Sequence, residues 1–352
     1  MENNLTENQY MNLDQLLPGD ILTFKGNRDD VLSRLIMDLT NGSDVSHGAI
    51  FVQKKDFVLA ESGELGIHAH KMIAQVTGGS EAYVLRHKDA GTKGIVPATD
   101  VAKQYVLRDL PYPFSDLIFL GLILLFKNNA KKNLISRAVV DLMCLVAAEL
   151  KTRIEEKKGP GFHTLVCSSY VYQCYLEASE NQPNLKLNVK NGDIGFGEHR
   201  LLFRSAKSSN SLLDLFEDYV KQDDGEFKNR FYARRRLKQT KKLRPVDAVL
   251  KDLEMELSVK CNENLPMLRS IDWEIVKDFI DAVGDVIEAV SSLISDHDNL
   301  TLEEMIENAR KQQAMFITPN DLRNHLTNAD YIGMIRVSRD SNDYDQNFKT
   351  EM

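Results

Sequence analysis

Gly159-Pro160-Gly161-Phe162-His163-Thr164-Leu165-Val166-Cys167-Ser168-Ser169-Tyr170-Val171 is the stretch on which the reading of this chain turns. A glycine-rich loop runs into a segment where Val171, Cys174 and Tyr175 follow Cys167 at helical spacing. A helix starting near Cys167 is therefore expected, with the sulfur on its buried face. A thiol at a helix start feels the positive end of the helix dipole, which favours thiolate, the nucleophilic form. Such a nucleophile needs a base. Far upstream, Val45-Ser46-His47-Gly48-Ala49-Ile50-Phe51-Val52 reads as a short, mostly buried strand carrying one imidazole.

Taken singly, each residue has an ordinary explanation. A free cysteine in an apolar helix behaves as a small buried hydrophobe, and a histidine in an apolar strand is usually a hydrogen-bonded core group. Their flanking segments lift the pair above that background. Leu16-Leu17-Pro18-Gly19-Asp20-Ile21-Leu22, then Val45 to Ile50, then Cys167 to Val171 resembles the circularly permuted papain-like hydrolases, in which the histidine strand precedes the cysteine helix. The YiiX-like branch is the nearest; lecithin:retinol acyltransferase and permuted NlpC-type peptidases are its wider relatives. Ile317-Thr318-Pro319-Asn320-Asp321-Leu322, followed by Tyr331-Ile332-Gly333, looks like the segment that closes the YiiX-like domain. The resemblance covers roughly residues 11–200 and 312–338. It implies an α+β fold: a permuted papain-like domain, with an antiparallel β-sheet packed against a cysteine-bearing helix, here carrying a helical insertion.

Strand geometry suggests the third catalytic group. Asp56 to Ser62 reads as a second strand after a Lys54-Lys55 turn, forming a hairpin with the His47 strand. Residues directly opposite in an antiparallel pair share a face, so loop length decides which side chain meets the imidazole. A three-residue loop places Glu61 opposite His47; a two-residue loop places Ser62 there. Glu61 is the better chemical choice, because a carboxylate fixes the imidazole tautomer and favours its protonated form. The permuted family also places its third polar residue on this strand. His68 and His70 stand in reserve, since acyltransferase relatives use a second histidine, but both lie beyond Gly63 and Gly66, where the hairpin is expected to end.

The implied mechanism is covalent: Cys167 attacks a carbonyl, His47 transfers protons and Glu61 orients His47. The Cys167 backbone N–H is the expected first oxyanion donor. For the second donor only His163 comes into view, and it reads equally well as a loop-surface residue.

Composition bounds the alternatives. The chain has 352 residues, enough for two domains, and its 43% hydrophobic and 27% charged content is ordinary for a globular protein. A net charge of −8 argues against nucleic-acid binding. Cys144, Cys167, Cys174 and Cys261 lack metal-ligand spacing, and Cys167 and Cys174 lie too far apart on one helix to bridge. Free thiols suit a reducing compartment. No cofactor, phosphate loop or metal cluster is expected. The polar, acidic start from Met1 to Asn8 lacks a Sec signal, so a cytoplasmic location is expected, with secretion that uses no Sec signal left open. Leu117 to Phe126 is apolar throughout but too short for a bilayer, which needs about 20 residues. A buried helix is favoured over an acyl pocket or a membrane contact.

About 150 residues separate Cys167 from Thr318, more than the YiiX-like pattern leads one to expect. Ser211 to Val220 and Trp273 to Val283 show helical spacing, and Thr301 with Glu304 forms a capping-box pattern. Residues 205–311 are read as a helical insertion or cap, 11–204 with 312–338 as the catalytic domain, and 339–352 as a polar tail. Lys228 to Arg244 holds nine basic residues and no acidic one, which suits an anionic membrane surface or a solvated helix face neutralised by neighbouring acids; the latter is favoured. Three functions compete: a cysteine-dependent hydrolase of N-acyl amides or peptides, a thiol acyltransferase or lipid hydrolase, and a non-enzymatic binding scaffold. The first leads.

Overall fold

A computed structural model describes residues 10–40, 43–63, 66–108, 116–127, 136–156, 167–190, 211–223, 225–237, 243–259, 273–293 and 300–340. In chain order these form β1 (Ile21–Lys25), α1 (Val31–Leu39), β2 (Val45–Gln53), β3 (Val58–Gly63), β4 (Gly66–Ala74), β5 (Ser80–His87), α2 (Val96–Leu107), α3 (Asp116–Phe126), α4 (Arg137–Glu156) and α5 (Cys167–Asn181). There follow α6 (Leu212–Gln222), α7 (Glu226–Leu237), α8 (Val246–Val259), α9 (Trp273–Ser291), α10 (Leu302–Met315), α11 (Pro319–Asn324) and β6 (Ala329–Arg339).

The fold is α+β, and its antiparallel sheet closes on itself. The strands form a barrel in the order β1-β2-β3-β4-β6-β5, with β6, from the far end of the chain, completing the ring between β4 and β5. Side chains alternate across a strand. One set, including Leu22, Phe24, Ala49, Phe51, Leu59, Met72, Val84 and Ile335, fills the barrel. The other, including Ile50, Val52, Val58, Ala60 and Ala69, faces outward against α2 and α5. Burial on both faces explains why β2 reads as an unbroken apolar run rather than an alternating one.

A second apolar core is purely helical. It joins α3, α4 and α6 to α10 with Leu35, Ile36 and Leu39 of α1. Every residue from Leu117 to Phe126 is buried within it. Gly121 lets α3 and α4 approach closely: a Cβ there would lie 2.5 Å from Val146 Cγ2. This helical layer thus begins upstream of residue 205, since 116–156 pack with it rather than on the barrel. At the other boundary, Arg339 belongs to β6 and not to a tail; residues 341–352 lie outside the described residues.

Thr301 and Glu304 form the capping box their spacing suggests. Among the described basic side chains of the 228–244 run, Lys228 pairs with Glu303, Arg230 with Asp281, Arg234 with Asp281 and Asp285, and Arg244 with Asp141 and Asp252. Phe231 of the same helix is buried in the helical core. No helix among the described residues is long and apolar enough to cross a membrane.

Candidate active site

His47 lies on the inward face of β2, paired across the sheet with Phe24 of β1. Its side chain is 24% exposed, whereas Ala49 and Phe51, further along the same face, are fully buried. The imidazole therefore sits near one end of the barrel. Its neighbour on β3 is Glu61, but not through the register expected from the hairpin. The turn is longer than either alternative, with Asp56 and Phe57 both at positive φ, and a bulge follows Phe51. Glu61 is consequently opposite Ala49. A two-residue slip preserves the face, so Glu61 becomes the diagonal neighbour of His47 and still reaches it. His47 Nε2 lies 2.8 Å from Glu61 Oε2.

Glu61 is the hub of the site. Gly63 and Gly66 face each other where β3 turns into β4, so the hairpin continues and β4 brings His68 opposite Glu61 and His70 opposite Leu59. All three polar side chains share a face, with His70 Nε2 3.3 Å and His68 Nε2 3.6 Å from Glu61 Oε1. Arg339 Nη1 donates to both carboxylate oxygens, at 3.0 and 2.9 Å. Burial alone would raise the Glu61 pKa, but the charge and hydrogen bond of His47 and the bonds of His68 and His70 hold it well below the usual carboxylate range.

Cys167 is the first residue of α5, which packs on β2 and β3. Gly48 permits that approach: a Cβ there would stand 3.4 Å from Ser168 Cα and 3.2 Å from Leu322 Cδ1. The next two serines fasten the helix start to the strand-like segment before α11. Ser168 Oγ donates to the Ile317 carbonyl at 2.6 Å, and the Ile317 N–H donates to Ser169 Oγ at 3.2 Å. Thr318 and Asp321 close a capping box on α11, and Tyr175 donates to the Gly19 carbonyl in the Pro18-Gly19-Asp20 turn. The segments around Gly19, Gly48 and Ile317 therefore all pack on α5.

The Cys167 side chain lies beside His47, near enough to act on the charge of the imidazole. With Nε2 engaged by Glu61, Nδ1 is the nitrogen left for the sulfur. Burial would lower the imidazole pKa, but the adjacent Cys167 and Glu61 charges and their hydrogen bonds outweigh it and raise the pKa to about 10. Cys174, two turns further along α5, is fully buried, and that burial pushes its thiol well above the ordinary range. The arrangement sets a thiol, an imidazole and a buried carboxylate side by side in that order.

His163 and Cys261 lie outside the described residues. Arg339 was not legible as a site residue, because its position depends on β6 pairing with β4 across the whole chain. His68 and His70 carried a usable signal: two residues apart in Ile67-His68-Ala69-His70, they share a strand face. No family model, curated protein or solved structure matches this chain significantly.

Proposed function

We propose that the chain is a cysteine-dependent acyl-transfer enzyme of the permuted papain-like type. Within that class the reading is hydrolysis of amide bonds in N-acyl amides or peptides. The observation that carries it is the chain of contacts from Cys167, at a helix start, through His47 to the buried Glu61. The thiolate attacks the carbonyl carbon, forming a C–S bond and an oxyanion. The N–H of Cys167, in the helix turn that lacks intrahelical acceptors, is available to that oxyanion. Collapse breaks the C–N bond as the His47 imidazolium gives its proton to the departing amine. Water then attacks the thioester, neutral His47 takes the water proton, and breaking the C–S bond returns thiolate and imidazolium with a carboxylic acid released.

The test is site-resolved alkylation with limiting iodoacetamide from pH 5 to 9, alongside turnover of acyl-amide and peptide panels. Cys167 is expected to label at pH 6 ahead of Cys144 and Cys174, and His47→Ala to slow it by about 10- to 100-fold, because an ordinary thiol of pKa near 8.5 is under about 1% thiolate there. Cys167→Ala is expected to lower kcat by at least about 10⁴-fold. Labelling of Cys167 no faster than its neighbours, with no turnover, would move the binding-scaffold reading ahead.

A further inference from the structure

Glu61 meets its three histidines in two different ways. His47 stands at 2.8 Å, the length of a charge-assisted hydrogen bond. His70 and His68 stand farther off, at 3.3 and 3.6 Å from the other oxygen, in weaker contacts than that of His47. Their remaining ring nitrogens are both turned to backbone carbonyls: His68 Nδ1 to Gly66 at 2.8 Å, and His70 Nδ1 to Asp340 at 3.0 Å. A carbonyl only accepts, so each Nδ1 carries the proton, and each Nε2 presents its other face to the carboxylate. A neutral imidazole would there aim a lone pair at an anionic oxygen. The contact becomes attractive only with a cation at Nε2.

We propose that Glu61 Oε1, His68 Nε2 and His70 Nε2 bind one divalent transition-metal ion, with zinc the best match. The ligand atoms lie within 4.8 Å of one another. Metal–ligand bonds of about 2.0–2.1 Å in a tetrahedron set neighbouring ligand atoms about 3.3 Å apart; Glu61 Oε1 stands 3.3 Å from His70 Nε2 and 3.6 Å from His68 Nε2. Histidines that donate Nδ1–H to a backbone carbonyl while offering Nε2 have the orientation and tautomer of metal-bound imidazoles. Arg339 Nη1 also donates to this carboxylate, at 3.0 Å to Oε1 and 2.9 Å to Oε2, so the ion shares Oε1 with that donor. The ion occupies Oε1 and leaves Oε2 to His47. The assignment rests on ligand geometry and stands apart from the hydrolytic reading.

The test uses the full chain, chelator-treated and desalted, titrated calorimetrically with zinc chloride, and with cobalt(II) read by absorption. A Cys167→Ser background removes the nearest competing thiol. One equivalent is expected to bind in both backgrounds, with tetrahedral cobalt absorption and no thiolate-to-cobalt charge transfer. Losing a direct ligand should weaken binding more than the 10- to 100-fold typical of outer partners, so His68→Ala and His70→Ala should each cost at least about 100-fold. His68→Gln and His70→Gln, checked for native circular dichroism, should lose the zinc-induced rise in Tm that the parent shows. Absence of saturable binding, binding that survives the double alanine variant, or binding that disappears in Cys167→Ser would overturn the assignment.

Discussion

Replacing Glu61 by Gln removes one charge at nearly constant volume and tests the electrostatic logic of the site. The Glu61 side chain is 5% exposed, and its carboxylate faces both His47 and Arg339. Removing one member of a buried ion pair costs about 3–5 kcal/mol, chiefly through the charge left behind. Here the stranded cations keep some water, with side-chain exposures of 24% for His47 and 32% for Arg339. The expected loss at pH 6 is therefore about 3 kcal/mol, at the lower end of that range. The pH dependence follows from the shifts. Glu61 is depressed in the fold, so its stabilisation is present above the ordinary value of 4.5 and is lost as pH falls towards the folded pKa. His47 is raised from 6.5 to about 10, so its stabilisation is complete below about 6.5 and fades as pH rises through 10. Wild-type stability from this pair should peak between those limits, and Glu61→Gln should flatten both slopes. Urea unfolding at intervals from pH 3 to 10 measures this. A loss under about 0.5 kcal/mol with an unchanged profile, the size of an ordinary surface substitution, would refute the reasoning.

Gly48→Ala brings a Cβ to 3.2 Å from Leu322 Cδ1 and 3.4 Å from Ser168 Cα; a loss of about 1 kcal/mol is expected from overpacking, with slower Cys167 alkylation as the first turn of α5 shifts. Ser168→Ala deletes the 2.6 Å bond to the Ile317 carbonyl, a buried acceptor, and should cost about 1–2 kcal/mol in urea unfolding. Gly121→Ala forces a Cβ to 2.5 Å from Val146 Cγ2 between α3 and α4; a loss of about 1–3 kcal/mol is expected, read as a lower Tm with Cys167 labelling unaltered, because the strain falls in the helical core.

Local pattern was enough to place the helix that starts at Cys167, the strand that carries His47, the capping box at Thr301 and the burial of Leu117 to Phe126, because each follows from residue types within one element. Loop length was misjudged by local reasoning. The β2–β3 turn takes left-handed backbone at Asp56 and Phe57, which side chains rarely adopt and the sequence there does not advertise. Glu61 still reaches His47 because strand faces repeat every two residues, so a slip of two changes the partner and keeps the side.

The sequence by itself determined which residue types are on offer: a cysteine after a glycine-rich stretch, an imidazole in an apolar strand, a carboxylate on the next strand and two histidines sharing a face. Tertiary structure decided their company. Arg339 reaches Glu61 because β6 closes the barrel against β4, a pairing between residues more than 250 positions apart that no local periodicity encodes. Likewise, the division between barrel and helical layer follows from which apolar faces find each other, and α3 and α4 join the later helices because α3 packs on α6 and α4 on α8 and α9. Hydrophobic pattern specifies that a face will be buried; only the assembled chain specifies against what.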